Sequence, residues 1–227
     1  PPSWLRSSQV LTRTFVLSGI SGSLDHPNIV RFLEFVVDEA RFVRGREQGV
    51  VPVMEALLGP DLFDWLAQRQ AGTLSGGGQW ISRGDVARIV RQVSSGLAYI
   101  HGSRPFLVHR DVKPENLRWA SQGPEADLKL VDFGTVFVDG QEDAMEGQVV
   151  GTALYVAPEV YDPLRTPRQP PTTAADMFAL GVVLFLLLCG RFPYAEGARW
   201  GHPCDGGGGS GGSGSCGDAA AWHLVPP

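Results

Sequence analysis

Apolar and polar positions change period several times along this chain, and each change marks an element. Residues 1–23 contain no acidic residue and their apolar pattern is interrupted by Ser and Gly, so only a weak helix is expected there. "HPNIVRFLEFVV" (26–37) mixes β-branched and aromatic residues and reads as a turn entering a strand. "VVPVME" (50–55) reads as a second strand, expected to pair with the first as an antiparallel hairpin. From Pro60 the period becomes helical: "GPDLFDWLAQRQ" has acids in its first turn and Leu62, Phe63 and Leu66 on one face, before "GTLSGGGQW" breaks it. Ser82, with Asp85 three residues later, forms a capping box that opens the next helix, whose stripe is Val86, Ile89, Val90, Val93, Leu97 and Ile100.

Beyond that helix lie short apolar pieces, "FLVH", "NLRW" and "LKLVDF", separated by polar turns as in small strands lining a cleft. Residues 135–161 show little periodicity and are expected to form a long, functional loop. The apolar run from Met177 to Cys189 lies between Asp176 and Arg191. It falls short of the roughly 20 residues that span a bilayer, so it reads as a buried core helix. "DGGGGSGGSGSCGDAA" near the end is a low-complexity linker whose glycines follow no strand and so form no phosphate cradle.

Composition narrows the class. At 227 residues and 43% hydrophobic, the chain can bury roughly 70% of its unfolded surface. A formal charge of -5 without a basic run argues against nucleic-acid or membrane partners, and no signal-peptide pattern opens the chain, so a cytoplasmic protein is expected. Cys189, Cys204 and Cys216 form no CxxC pair. His202, Cys204, Cys216 and His223 match no usual zinc spacing.

Three polar islands remain: "HRDVKPEN" (109–116), "DFG" (132–134) and "APE" (157–159). Each is weak alone; in this order and spacing they resemble the eukaryotic protein kinase family, over about residues 25–194. "VKPEN" after the aspartate resembles the serine/threonine branch. The resemblance implies an α+β, two-lobed fold with a truncated small lobe and a mainly helical, C-terminally truncated large lobe. It divides the chain into a divergent segment 1–23, a partial small lobe and hinge 24–58, a partial large lobe 59–195 and a Gly/Ser-rich tail 196–227. It also implies ATP and Mg²⁺ as ligands and a protein Ser/Thr hydroxyl as acceptor.

Phosphoryl transfer needs a positioned nucleophile, metal and phosphates more than covalent help. Asp111 is the candidate base or orienter of the hydroxyl, and Lys113 can reach the transferring phosphate. Asn116 and Asp132 supply oxygen ligands of the kind Mg²⁺ prefers. By resemblance Thr152 touches Asp111 and Lys113, Met54 is the gatekeeper, Glu55 and Leu57 bind adenine through their backbone, and Asp61 and Glu115 join the nucleotide site. Asp61 is equally legible as a helix cap. Glu115 and Asp61 also resemble acids that read basic residues upstream of the target.

Several positions depart from the family pattern. Gln148 stands where an activation-loop phosphate is expected opposite Arg110, and residues 136–151 contain no Ser, Thr or Tyr. Glu142, Asp143 and Glu146 can supply negative charge instead, so activity is expected to be independent of phosphorylation in that stretch. No Gly-rich loop precedes residue 25, Leu17 stands where a glutamate belongs, and Lys113 and Lys129 are the sequence's two lysines. Arg118 replaces the apolar side chain that supports adenine, and is expected to turn toward solvent or a phosphate. Glu159 lacks its usual arginine, and one side of the 177–189 helix is expected to stay uncovered. The chain is therefore expected to be an impaired kinase homologue, with a pseudokinase scaffold as the alternative.

Overall fold

The computed structural model describes residues 24–37, 50–73, 81–122, 125–140, 149–161 and 170–194. Expectations for 1–23 and for the tail 196–227 lie outside these residues, as do those for Leu17, for Glu142, Asp143, Glu146 and Gln148, and for His202, Cys204, Cys216 and His223.

The first two strands, β1 (Phe32–Val37) and β2 (Val50–Met54), pair antiparallel as their alternation suggests. The register slips between Phe32 and Glu34, leaving Leu33 as a bulge that is 59% exposed while Phe32 packs against the core. An extra residue in one strand bends it and re-aims its neighbours. Pro52 donates no ladder bond, and it is accommodated because, among the described residues, β2 pairs on one edge only.

Two helices follow. In α1 (Leu62–Thr73) Leu62 and Leu66 are buried, but Phe63 is only half-buried. The helix also runs past Gln70 and through Gly72, since a single glycine costs only about 1 kcal/mol. α2 (Arg83–Gly102) buries Val86, Ile89, Val93, Leu97 and Ile100 on one face; Val90 sits at the stripe's edge. Burying each such side chain contributes about 1.5–3 kcal/mol. Its cap is as expected on one side, Ser82 Oγ accepting from the Asp85 N–H at 3.0 Å. The return bond differs: Ser82 Oγ itself donates to Asp85 Oδ2 at 2.9 Å. Gly96 lets the 26–29 turn lie against α2, since a Cβ there would stand 2.9 Å from the Asn28 carbonyl oxygen.

The cleft strands are short: β3 (Leu107–Val108), β4 (Leu117–Trp119), β5 (Leu128–Leu130) and β6 (Phe137–Val138). β4 pairs with β5, and β3 with β6. The segment expected to be one loop therefore contains β6 and a one-turn helix, α3 (Pro158–Tyr161). Buried Asn28 donates to Gln92 Oε1 (2.8 Å) and to the Leu128 carbonyl (3.0 Å), and Gln92 Oε1 also accepts the Leu128 N–H. This amide network, invisible to an apolar pattern, pins the 26–29 turn, α2 and β5 together.

α4 (Thr173–Cys189) starts four residues before the apolar run and ends at Gly190 in the left-handed conformation (φ 67°). It packs on α2 through Ala179, Leu180, Val183 and Leu187, while Met177 and Leu188 are exposed. No helix among the described residues is long and apolar enough to cross a membrane.

Candidate active site

The site is built on a loop between β3 and β4, and its anchor comes from a distant helix. Asp176, 1% exposed in the first turn of α4, accepts the N–H of His109 and of Arg110, each at 2.8 Å, and lies 2.8 Å from His101 Nε2. Two charge-assisted backbone bonds hold Arg110 at φ 69°, a costly conformation outside glycine. Gly151 (φ +111°) packs against this turn, since a Cβ there would meet the Arg110 carbonyl at 2.6 Å. Arg110 Nε also donates to the Thr135 carbonyl.

His109 is fully buried. Its Nε2 lies 3.0 Å from the Val131 carbonyl and its Nδ1 accepts the Asp111 N–H at 3.3 Å. Because a carbonyl only accepts, Nε2 carries the proton and the ring is the neutral tautomer. Burial, opposed by nearby carboxylates and the Val131 bond, holds its pKa below the usual histidine value. The Phe133 ring packs edge-on to His109 (5.1 Å) and to Phe32 (5.7 Å), a ring stack joining the hairpin to the loop.

Asp111 is the centre. Its Oδ1 accepts the Thr152 N–H (3.1 Å) and hydroxyl (2.8 Å), while its Oδ2 meets Lys113 Nζ (2.8 Å) and the Asn116 amide (2.9 Å). Lys113 also donates to Thr152 Oγ1 at 2.8 Å. Burial alone would raise the Asp111 pKa. Hydrogen bonds from Lys113 and Thr152, the Lys113 charge and the Asn116 bond outweigh it, so the carboxyl titrates below its ordinary range. Asn116 ends a 3₁₀ turn (Pro114–Asn116) and donates its amide N–H to the Asp111 carbonyl as well, leaving its amide oxygen for a metal. Asp132 adopts φ 58° and ψ 75° ahead of the turn Phe133–Thr135; its exposed carboxylate accepts the Gly134 N–H at 3.1 Å. Among the described residues no set of three or more His, Cys, Asp and Glu could by itself hold a metal ion.

The hinge is tied to β4 by three bonds: Leu58 N–H to Ala120, Gly59 N–H to Trp119 and Trp119 N–H to Pro60. Met54 is 39% exposed at the end of β2. The Glu55 N–H donates to Arg31, whereas the Leu57 N–H and carbonyl make no hydrogen bond among the described residues. Asp61 is a helix cap, its Oδ1 accepting the Asp64 N–H at 2.8 Å. Arg118 bridges Asp61 through its backbone and turns its side chain to solvent. Glu115 is exposed beside buried Tyr155, whose pKa is raised by burial and by that carboxylate.

Thus Asp111, Lys113, Asn116 and Thr152 come together. Met54, Glu55, Leu57 and Asp61 line the separate hinge. Residue patterns left three supports unmarked: Asp176, which reads only as the polar start of an apolar run, His101 and Phe32.

A model described as "Protein kinase domain" matches residues 16–202. The human calcium/calmodulin-dependent protein kinase type IV is 32% identical over 178 residues, covering 78% of this chain and 32% of that protein. A rice calcium/calmodulin-dependent serine/threonine-protein kinase 1 (Oryza sativa subsp. japonica) is 34% identical over 180 residues, 79% of this chain and 25% of the relative. A probable serine/threonine-protein kinase MARK-C of Dictyostelium discoideum is 34% identical over 173 residues, 75% and 19% respectively. The chain spans about a third or less of the length of these relatives.

Proposed function

The chain belongs to the eukaryotic protein kinase family, with serine/threonine kinases as its relatives, and from that premise we propose that its site transfers the γ-phosphoryl group of ATP to a serine or threonine hydroxyl of a protein. The observation that carries this is the Asp111 cluster: an ionised carboxylate held by Lys113, Asn116 and Thr152. Asp111 orients the acceptor hydroxyl and takes its proton as the bond to phosphorus forms. Lys113 supplies positive charge beside it, worth most where water is excluded. The Asn116 amide oxygen and the Asp132 carboxylate would hold Mg²⁺, which when bound would offset the negative charge of the phosphates. Met54, Glu55 and Leu57 take adenine, the last through a backbone that makes no hydrogen bond among the described residues; Asp61 and Glu115 flank the ribose. Exposed Glu115 favours an arginine upstream of the target residue. The small-lobe and hinge portion is 24–58 and the large-lobe portion 59–195.

Turnover in this chain is slow. Both lysines of the sequence are engaged, Lys113 with Asp111 and Lys129 with Glu55, so neither anchors phosphates from the small lobe. Losing one such preorganised donor costs on the order of 10²–10³ in rate. The same observation favours a second reading, a pseudokinase that serves as a protein-binding scaffold.

Titrating the purified chain with Mg²⁺-ATP and measuring phosphotransfer, with Asp132→Asn as control, separates them. Binding and transfer, both lost in the control, support the kinase; binding without transfer supports the scaffold; no binding by the unaltered chain removes both nucleotide-based readings.

A further inference from the structure

Lys129 has no part in the chemistry above, yet it is among the best-connected charges in the molecule. It lies on β5 between buried Leu128 and Leu130, so the pleat turns it to the opposite face of the β4–β5 hairpin, beside its cross-strand partner Arg118. There its Nζ lies 2.8 Å from Glu55 Oε1 and 3.3 Å from the Ile29 carbonyl, with only 12% of its side chain exposed. The same Glu55 oxygen accepts the Arg31 N–H at 2.8 Å, and the Glu55 N–H returns to the Arg31 carbonyl at 3.0 Å.

One ion pair therefore joins three segments: the 28–31 run, the hinge at Glu55, and β5, which leads two residues beyond Leu130 to Asp132. Backbone bonds from Val30 to Leu130 and from Leu130 to Asn28 lock the first and third segments. The hinge has no such backbone tie to β5 among the described residues; Glu55 reaches it through the Lys129 side chain. Glu55 is moreover an acid facing two cations, Lys129 and Arg31. Burial alone would raise its pKa, but the Lys129 and Arg31 bonds and charges bring it below the ordinary range.

We infer that Lys129 is a positioning residue for the nucleotide: its pair with Glu55 sets the height of the hinge backbone over the strand that carries Asp132. This rests on the nucleotide-binding reading above. Without the pair, Glu55 keeps its bonds to Arg31 and the following residues keep theirs to β4, but the direct side-chain link from Glu55 to β5 is lost, so the separation of the base and metal ends is held less tightly.

The test measures adenosine and Mg²⁺-ATP affinity by calorimetry, with denaturation midpoints in parallel. Lys129→Met and Glu55→Gln should each weaken both ligands by roughly five- to tenfold. Lys129→Arg should keep most of the affinity, and the exchange Glu55→Lys with Lys129→Glu should recover part of it. Where transfer is measurable, KM for ATP should rise with kcat little changed. If Lys129→Met does not fold, Glu55→Gln decides, since it retains an acceptor for Arg31. Unchanged affinity in a folded variant overturns the inference alone; no nucleotide binding by the unaltered chain overturns the reading beneath it as well.

Discussion

The Asp111 loop and the segment after β2 are neighbours through β4, yet they are held in opposite ways. Each oxygen of Asp111 has two donors, and the loop's backbone hangs from a fully buried carboxylate. That segment shows exposed Met54 and Leu58, a Leu57 backbone with no hydrogen bond among the described residues, and a solvent-facing Arg118 on β4. A buried polar network is stable only when every member is satisfied, so the loop is rigid or lost. A surface with few partners bends under small changes. On the proposed function, the transfer step and nucleotide retention should therefore fail independently.

The most direct way to break that contrast is Asp111→Asn. It should lower phosphotransfer by roughly 10²- to 10⁴-fold while leaving ATP affinity nearly unchanged; equal losses in a binding titration would mean that the two regions are one unit. Next comes Asp176→Ala, which leaves the buried His109 N–H, the half-buried Arg110 N–H and His101 without their acceptor. Unfolding stability should fall by about 3 kcal/mol or more in urea titrations, against a change under about 0.5 kcal/mol for the exposed Met54→Ala.

A smaller effect comes from pH. His109 is held neutral in the fold, so the unfolded chain binds the extra proton as pH drops below about 6.5, and stability rises with pH through that window. Depressed Asp111 adds a loss only at acid pH, below the ordinary carboxylate range. Urea midpoints measured from pH 5 to 8 check the first; a flat profile would contradict it. The smallest is Arg118→Leu, which replaces a solvent-facing guanidinium by apolar surface at the position that the proposed function sets beneath adenine. It should tighten adenosine binding about two- to fivefold by calorimetry, with no change in the urea midpoint.

Much of the local structure was legible. The stripe of α2 and its Ser82 cap, the antiparallel hairpin and the core role of the 177–189 run follow from period and capping chemistry, because a turn or a face is a short-range property. The three polar islands likewise carry Asp111, Lys113, Asn116 and Asp132 in chain order. The end of α1 was misjudged, since Gly72 and Thr73 are helical despite their propensities. The strand β6 was missed, since two residues carry no period.

The sequence by itself determined which side chains are available for phosphoryl transfer, and that two lysines must serve the whole chain. Only the tertiary structure decided where they act. Asp176 reads as the polar edge of an apolar run until α4 packs on α2 and brings it under His109 and Arg110. Lys129 is one charge in a short strand until the fold sets it 2.8 Å from Glu55. A side chain's partner across the fold depends on how whole helices and strands pack, which no local period records; yet such partners hold Arg110 at its positive φ and bring Thr152 onto Asp111.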